Sequence, residues 1–184
     1  MTSVKEQIEQ VAIQLFADLG YLATSMNLIA ERAEVSKSLL YHYFASKADL
    51  LTACLNEQVH SLQSLLEQAN EEKNARDKIK AVVRLYLGAY AQAQAALKVL
   101  LNDTHHLPKA VADPIIKGQA HIVKTVNKWC AEELKCAEKN AQARTMALFG
   151  MMNWSFTWLK PNGSLSHEQY AEIVIDLFFN GIHT

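Results

Sequence analysis

The sequence contains few of the residues that interrupt helices. Its 184 residues include only three prolines and six glycines. It also lacks runs in which valine, isoleucine or threonine alternate with polar residues, the pattern typical of β-strands. We therefore predict an all-α fold.

Cysteines and long apolar runs are also scarce. The three cysteines, Cys54, Cys130 and Cys136, are an odd number without a close pair, which argues against disulfides and favours a reducing cytoplasm. No apolar run approaches the roughly 18 residues of a membrane span. Residues 1–20 carry charges inside an amphipathic pattern, unlike a signal peptide. We expect a cytoplasmic protein without a membrane partner.

The chain has no positive excess that would by itself indicate nucleic-acid binding. Eighteen basic and nineteen acidic residues give a formal net charge of −1, so any DNA contact must come from a local patch. Signals for catalysis are missing: there is no nucleophile paired with a base and no glycine-rich phosphate loop. His105 and His106 have no carboxylate or cysteine at ligand spacing. We predict no catalytic residue, no metal and no cofactor.

Capping patterns and helical periodicity predict about nine helices. Ser3 with Glu6 and Ser166 with Gln169 match capping boxes at the first and last of them. Gly20 is typical of a helix end. Asp113–Pro114 predicts a helix start, because proline is tolerated at the first helical position.

A helix-turn-helix motif is predicted within the first 50 residues. One short helix would run from Ser25 to about Ala33 and the next over roughly 36–44, separated only by Glu34-Val35-Ser36. Two short helices joined by such a turn define the motif. Similar helix pairs also occur in proteins that do not bind DNA, so the pattern alone leaves DNA binding open.

The second short helix would expose one polar face. Lys37, Ser38, Tyr41 and His42 lie three to four residues apart and share this face. Lysine can reach guanine or phosphate, serine and histidine can bond base edges, and tyrosine can bond phosphate oxygens. Lys47, in the first turn of the following helix, could bind a phosphate together with backbone N–H groups.

The run from residue 25 to residue 50 resembles the signature of the tetracycline-repressor (TetR) family. It reads SMNLIAERAEVSKSLLYHYFASKADL, against a family pattern of roughly T-x-x-x-I-A-x-x-A-G-V-S-x-G-T-L-Y-x-H/Y-F-x-S-K-x-x-L. The resemblance implies a DNA-binding head at 1–50 and a helical body for ligand binding and dimerisation at 51–184. It also implies the DNA-contacting residues Ser25, Asn27, Ser36, Lys37, Ser38, Tyr41, His42 and Lys47.

The head departs from the family pattern in three ways. Glu34 replaces the usual turn glycine, which costs about 1 kcal/mol if the position needs a positive φ. Ser38-Leu39 replaces Gly-Thr, so base contacts cannot be copied from a relative. The head carries four basic and six acidic side chains. We therefore expect modest DNA affinity and a shallow salt dependence, with a slope of about 0.9 per phosphate contacted.

The last two predicted helices are candidates for dimerisation. A symmetric dimer would match a palindromic operator. In the family, these two helices pair with their symmetry mates as a four-helix bundle. The same apolar stripes could instead close the core of one subunit. The predicted dimerisation residues are Ala143, Ala147, Gly150, Trp158, Ile173, Leu177 and Phe178.

Polar-tipped residues on apolar stripes of the body could orient a small ligand, although such groups more often bond a carbonyl or reach water. The segment from Phe149 to Trp158, followed by Pro161 and Gly163, is similar to a pattern in TetR-type regulators of acyl-CoA and lipid catabolism. An acyl-CoA or related hydrophobic acid is the leading candidate effector. The predicted ligand-binding residues are Tyr86, Tyr90, His121, Met151 and Trp154.

Two functions are compatible with these patterns. The first is a repressor that leaves a palindromic operator when a small hydrophobic ligand binds the body. The alternative is a helical adaptor that keeps the fold without operator recognition, which the acidic head and Glu34 would favour. An enzyme is not indicated, because no catalytic constellation is present.

Overall fold

A computed structural model describes residues 3–160 and 163–181. Over these ranges the fold is all-α, as predicted, with eight α-helices and two short 3₁₀ turns. Pro161 and Asn162 lie outside the described residues. The helices are α1 (Val4–Leu19), α2 (Met26–Arg32), α3 (Lys37–Tyr43), α4 (Lys47–Asn70), α5 (Ala75–Asn102), α6 (Lys109–Glu133), α7 (Glu138–Trp154) and α8 (His167–Asn180); the 3₁₀ turns are Thr104–His106 and Ser155–Thr157.

The predicted capping boxes are present at both ends of the chain. The Glu6 backbone N–H donates to the Ser3 hydroxyl (3.2 Å), while the Glu6 carboxylate accepts from the Ser3 N–H (2.9 Å). Ser166 and Gln169 make the same reciprocal pair at the start of α8. Gly20 ends α1 with a φ of +85°. Local sequence therefore determines these helix ends.

The predicted helix start at Asp113–Pro114 is wrong. α6 begins at Lys109 and contains Pro114 as its sixth residue. The N–H groups of Val111 and Ala112 both donate to the Pro108 carbonyl, so the helix starts there. Pro114 removes one hydrogen-bond donor from the first turns of the helix and its ring crowds the carbonyl four residues earlier, yet α6 continues through it to Glu133.

The chain divides into two compact units. The first contains Met1–His60 and Ala95–Lys117, and the second contains Ser61–Gln94 and Gly118–Thr184. Helices α4, α5 and α6 contribute residues to both. The predicted division into a DNA-binding head (1–50) and a body (51–184) does not coincide with these units, because the first unit also contains parts of α4, α5 and α6. That division stays a prediction.

In the first unit, α1, α2 and α3 enclose a small apolar core. Ile8, Ile29 and Leu40 are completely buried, one from each helix. The Lys98 ammonium of α5 donates to the Ala17 carbonyl near the end of α1 (2.6 Å). Each buried side chain of this size contributes about 1.5–3 kcal/mol, so the core fixes the three helices relative to one another.

In the second unit, α7 packs against α8. Leu148 and Val174 are completely buried, and the Tyr170 hydroxyl donates to the Met151 carbonyl (2.9 Å). The Arg84 guanidinium of α5 makes two hydrogen bonds to the Glu172 carboxylate on α8 (2.6 and 3.0 Å). None of the helices in the described ranges combines the length and the hydropathy needed to cross a membrane.

Candidate functional site

The short helix α3 is held in place from one side only. Ser36 caps it, with its hydroxyl accepting from the Leu39 N–H (3.1 Å). Leu40 is fully buried and Phe44, at the end of the helix, is 4% exposed. The side of α3 opposite Leu40 is therefore free to meet another molecule.

Four polar residues occupy this open side. Lys37, Ser38, Tyr41 and His42 are all exposed, and half of the Tyr41 surface is accessible. The Ser38 hydroxyl lies 3.0 Å from that of Ser36. The surface combines a cation, hydroxyls and an imidazole, the groups that bind phosphates and base edges. Their contacts with DNA stay a prediction.

Tyr43 is a further exposed residue that the sequence prediction missed. It is 41% exposed, and its ring meets His42 edge-on with centroids 5.5 Å apart. The family pattern could have pointed to Tyr43, because it has His or Tyr at this position. Tyr43 extends the aromatic and polar surface at the end of α3.

Ser25 and Asn27 lie at the start of α2. The Ser25 hydroxyl caps the helix by accepting from the Leu28 N–H (3.2 Å), and both Ser25 and Asn27 are exposed. The cap uses one acceptor of the serine and leaves its hydroxyl proton available. A contact of these two residues with the DNA backbone stays a prediction.

The turn between α2 and α3 does require a positive φ. Glu34 has a φ of +54°, and its N–H donates to the Glu31 carbonyl while the Val35 N–H donates to the Ala30 carbonyl. This pair of bonds is the Schellman motif, whose left-handed position is usually glycine. The turn therefore carries strain of about 1 kcal/mol at Glu34.

The Lys47 ammonium binds carbonyl oxygens within the protein. It donates to the backbone oxygens of Tyr21 (2.6 Å) and Thr24 (2.7 Å) and lies 4.3 Å from the centroid of the Tyr21 ring. Burial lowers the pKa of Lys47. The predicted phosphate contact would require this ammonium to give up those bonds. Of the backbone N–H groups at the start of α4, that of Asp49 already donates to the Ser46 hydroxyl (3.1 Å).

The predicted dimerisation residues contribute to an exposed apolar surface on α7, on α8 and at Trp158, which follows the Ser155–Thr157 turn. Trp158, Ile173 and Leu177 are 46%, 43% and 38% exposed. Ala143, Ala147 and Gly150 are exposed along α7, and Phe178 is partly buried. Apart from the backbone of its own helix and its chain neighbours, no described atom lies within 4 Å of where a Gly150 side chain would begin. Exposed apolar side chains grouped on one part of a protein are typical of sites of protein–protein interaction.

Trp154 also lies on this surface. Although predicted to bind ligand, it is 66% exposed and continues the α7 stripe of Ala143, Ala147 and Gly150 at helical spacing. Met146, on the same side, is 51% exposed. Both residues enlarge the apolar surface, which we call the α7–α8 face.

The other predicted ligand-binding residues occupy different environments. Tyr86 and Tyr90 are buried with ring centroids 6.1 Å apart; Tyr86 donates to the Leu62 carbonyl (2.9 Å) and Tyr90 to the Asn153 side-chain oxygen (2.9 Å). Burial raises the pKa of both hydroxyls, so they stay neutral donors. His121 is exposed and Met151 half-buried. The structure thus pairs the two tyrosines but does not gather all five residues around one cavity.

An open groove of about 550 Å³ runs between α6 and α7 in the second unit. Asn127 crosses it, donating to the Glu138 carbonyl (3.1 Å) and accepting from the Thr145 hydroxyl (3.0 Å). None of the five predicted ligand residues lines it. Within the described ranges, no group of three or more histidine, cysteine or acidic residues is arranged to hold a metal ion.

A tight turn joins α2 to α3, and α3 is capped and exposes a polar side. This arrangement defines a helix-turn-helix DNA-binding module. Family models match both parts of the chain: "Bacterial regulatory proteins, tetR family" over residues 8–54, and "Tetracyclin repressor-like, C-terminal domain" over residues 72–182. The second match alone spans more than half of the sequence. The chain belongs to the TetR family of transcriptional regulators.

Curated relatives agree with this assignment. A fatty acid metabolism regulator protein of Bacillus subtilis is 23% identical over 96% of this chain and 94% of its own length. The HTH-type transcriptional activator FasR of Mycolicibacterium smegmatis is 29% identical over 68% of this chain. This chain spans about half of the activator, with 54% of it covered.

Solved structures share the whole architecture. A TetR-family regulator from Bordetella parapertussis is 32% identical, with a TM-score of 0.92 over 98% of this chain and 96% of that one. AibR, solved with isovaleryl coenzyme A and operator DNA, has a TM-score of 0.85 at 22% identity, over 96% of this chain and 98% of its own. At 22% identity, the similarity to AibR concerns the fold alone.

Proposed function

We propose that this regulator is a cytoplasmic homodimer that binds a palindromic operator and leaves it when a small hydrophobic ligand binds the body. The observation that carries the proposal is the open side of α3, where Lys37, Ser38, Tyr41 and His42 are exposed while Leu40 is buried. One short helix reads only a few base pairs, so two such helices are needed for a specific site.

The α7–α8 face supports the dimer. It exposes large apolar side chains, such as Trp154 at 66% and Ile173 at 43%, beside the small residues of α7. Small residues let helices approach closely, and the surrounding large ones supply apolar area, worth about 25 cal/mol per Å² removed from water. A two-fold axis through this face would make the surface self-complementary.

An acyl-CoA or related acid is the proposed ligand class. The name of the Bacillus subtilis relative, which this chain matches along nearly its whole length, refers to fatty acid metabolism. AibR was solved with an acyl-CoA and operator DNA together. In this chain, a ligand reaching Tyr86 and Tyr90 would have to replace the acceptors that they now use.

Repression is the proposed direction of control, although the Mycolicibacterium smegmatis relative is named an activator. In a repressor, ligand binding would favour a spacing of the two α3 helices that does not fit the operator. The coupling equals the difference in ligand affinity between the two spacings. A reporter gene behind the operator distinguishes the two directions, because repression predicts higher expression when the regulator gene is deleted.

The test begins with selection of an operator from a random DNA library by the full-length protein. We expect a palindromic sequence, bound by a dimer and released by an acyl-CoA or a related acid. Lys37→Ala and Tyr41→Ala should each weaken binding by the dimer at least about thirtyfold, because a contact worth about 1–3 kcal/mol is lost in each of the two half-sites. Lys73→Ala removes an exposed lysine outside the head and should bind as the wild type does.

Failure to enrich any sequence would contradict operator binding and favour the adaptor function. Enrichment of a palindrome without release by any acyl-CoA or free fatty acid would leave a DNA-binding regulator but refute the proposed ligand class. A selected site without two-fold symmetry, bound by a single subunit, would refute the dimer.

A further inference from the structure

The start of α4 is tied to the loop before α2. Lys47 is the first residue of α4, and its ammonium binds the backbone oxygens of Tyr21 and Thr24 in the loop between α1 and α2. The Thr24 hydroxyl in turn donates to the carbonyls of Leu15 (3.2 Å) and Gly20 (2.9 Å). This loop leads directly into the helix-turn-helix, so its position affects where α2 and α3 lie.

The ring of Tyr21 adds three contacts at the same point. The Lys47 ammonium lies 4.3 Å from its centroid, within the range of a cation–π interaction. The His106 imidazole stacks on the ring, with centroids 5.4 Å apart and planes 18° from parallel. The buried Phe16 ring of α1 lies 5.5 Å away. One ring therefore joins α1, the start of α4 and the Thr104–His106 turn.

We propose that Tyr21 is a positioning residue for operator binding. Its ring holds the α1–α2 loop, the start of α4 and the Thr104–His106 turn in one arrangement, and so fixes the position of the helix-turn-helix in each subunit. Tyr21 lies outside the predicted DNA-contacting set. The inference rests on the proposed function, because it concerns how a dimer meets two half-sites.

The expected consequence is a preference for one half-site spacing. A dimer reads its operator best when the two recognition helices stand at the separation of the half-sites. If the joint at Tyr21 is loosened, each head samples more positions and must be ordered again on binding, which lowers affinity. The affinity for the correctly spaced operator falls most. Binding to DNA with another half-site spacing gains nothing from heads held at the correct separation, so its affinity changes less.

The test compares three substitutions. Tyr21→Phe keeps the ring and therefore all three contacts, whereas Tyr21→Leu removes the ring. Leu22→Ala changes the next side chain of the same loop, which is 75% exposed, and serves as the matched control. Each full-length protein is titrated with the operator selected by the wild type, and with versions whose half-sites are one base pair closer or farther apart.

We expect Tyr21→Phe and Leu22→Ala to match the wild type on all three DNAs. Tyr21→Leu should lose about tenfold on the operator, the size of a partly desolvated cation–π contact, and much less on the respaced DNAs. Its slope of log affinity against log salt should be unchanged, because Tyr21 contacts no phosphate. Binding is measured well below the melting temperature of each variant.

Equal losses on all three DNAs would make Tyr21 a residue for stability alone and overturn the inference. The inference would also be overturned if Tyr21→Leu kept the wild-type ratio of affinities for the operator and the respaced DNAs. If that variant fails to fold, His106→Leu removes the stacked ring, together with the contact of its Nε2 with the Asp103 carboxylate (3.6 Å), and should reduce discrimination between the three DNAs in the same direction. Wild-type behaviour of His106→Leu would overturn the inference too. Failure of the wild type to select any operator would refute the proposed function itself, and this inference with it.

Discussion

Replacing Glu34 with glycine should stabilise the protein and strengthen DNA binding, for two separable reasons. With a φ of +54°, Glu34 is in the left-handed region, which costs a non-glycine residue about 1–2 kcal/mol. Glycine relieves this strain but loses about 0.4–1 kcal/mol through its greater freedom in the unfolded chain. The difference between these two ranges is about 0–1.6 kcal/mol in favour of glycine, and its mid-range value of about 0.8 kcal/mol corresponds to about 2–3 °C in melting temperature for a chain of this size.

A matched control exists at the end of α6. Lys135 has a φ of +50° and occupies the same Schellman position, with its N–H donating to the Glu132 carbonyl and the Cys136 N–H donating to that of Ala131. Lys135→Gly should therefore raise the melting temperature by a similar amount. Because Lys135 lies outside the head, this variant should leave operator affinity unchanged.

The effect on DNA binding comes from charge. Glu34→Gly removes one of six acidic side chains from the head. A unit charge about 10 Å from a phosphate contributes about 0.4 kcal/mol in water, so affinity should rise about twofold per half-site at low salt and less at high salt. Glu34→Gln should give the same rise in affinity without the rise in melting temperature.

Thermal denaturation and operator titration at two salt concentrations check these expectations. If Glu34→Gly lowered the melting temperature while Lys135→Gly raised it, the Glu34 side chain would be stabilising the turn, and the strain argument would be refuted there. If Glu34→Gln left operator affinity unchanged at low salt, the charge argument would be refuted instead.

Two further predictions concern the second unit. Trp154→Glu or Ile173→Glu puts a charge on the α7–α8 face, and should convert the dimer to a monomer in analytical ultracentrifugation and abolish operator binding; a persistent dimer would place the interface elsewhere. His167 is 3% exposed, its Nε2 has no described hydrogen-bond partner, and burial lowers its pKa. The folded state then binds fewer protons than the unfolded chain, so stability should fall as the pH drops below about 6.5, the unfolded value. The free energy of unfolding is measured by urea denaturation from pH 5 to pH 8. His167→Asn should remove the part of its pH dependence that comes from His167, and an unchanged pH dependence would contradict this prediction.

Short-range patterns in the sequence predicted local structure well. The capping residues Ser3, Ser25, Ser36 and Ser166 each begin a helix where they were expected, because a cap bonds a backbone N–H only three residues away. The Asp113–Pro114 start failed for a related reason. Asp113–Pro114 satisfies the local rule for a helix start, yet α6 already begins at Lys109, directly after Pro108, and the rule does not show whether a helix has begun before the proline.

Long-range partners could not be read from the sequence. Lys47 matches the family pattern, yet its ammonium binds carbonyls that lie 23 and 26 residues earlier in the chain. Tyr86 and Tyr90 satisfied the pattern for ligand-orienting groups, but their hydroxyls bond to Leu62 and Asn153. A side chain's type shows which bonds it can make, and only the tertiary structure shows which of them it makes.

The contacts of the basic residues sharpen the expected salt dependence of DNA binding. Of the four in the head, Lys47 binds internal carbonyls, and Lys5 lies 3.7 Å from the Glu9 carboxylate. Lys5, Arg32 and Lys37 are all exposed, but of these three only Lys5 has an acidic partner among the described ion pairs. Two cationic phosphate contacts per head, at about 0.9 each, give a slope of about −3.6 for a dimer. A measured slope near −10 would require cations from outside the head and would refute this account, whereas Lys47→Met should lower stability without changing the slope.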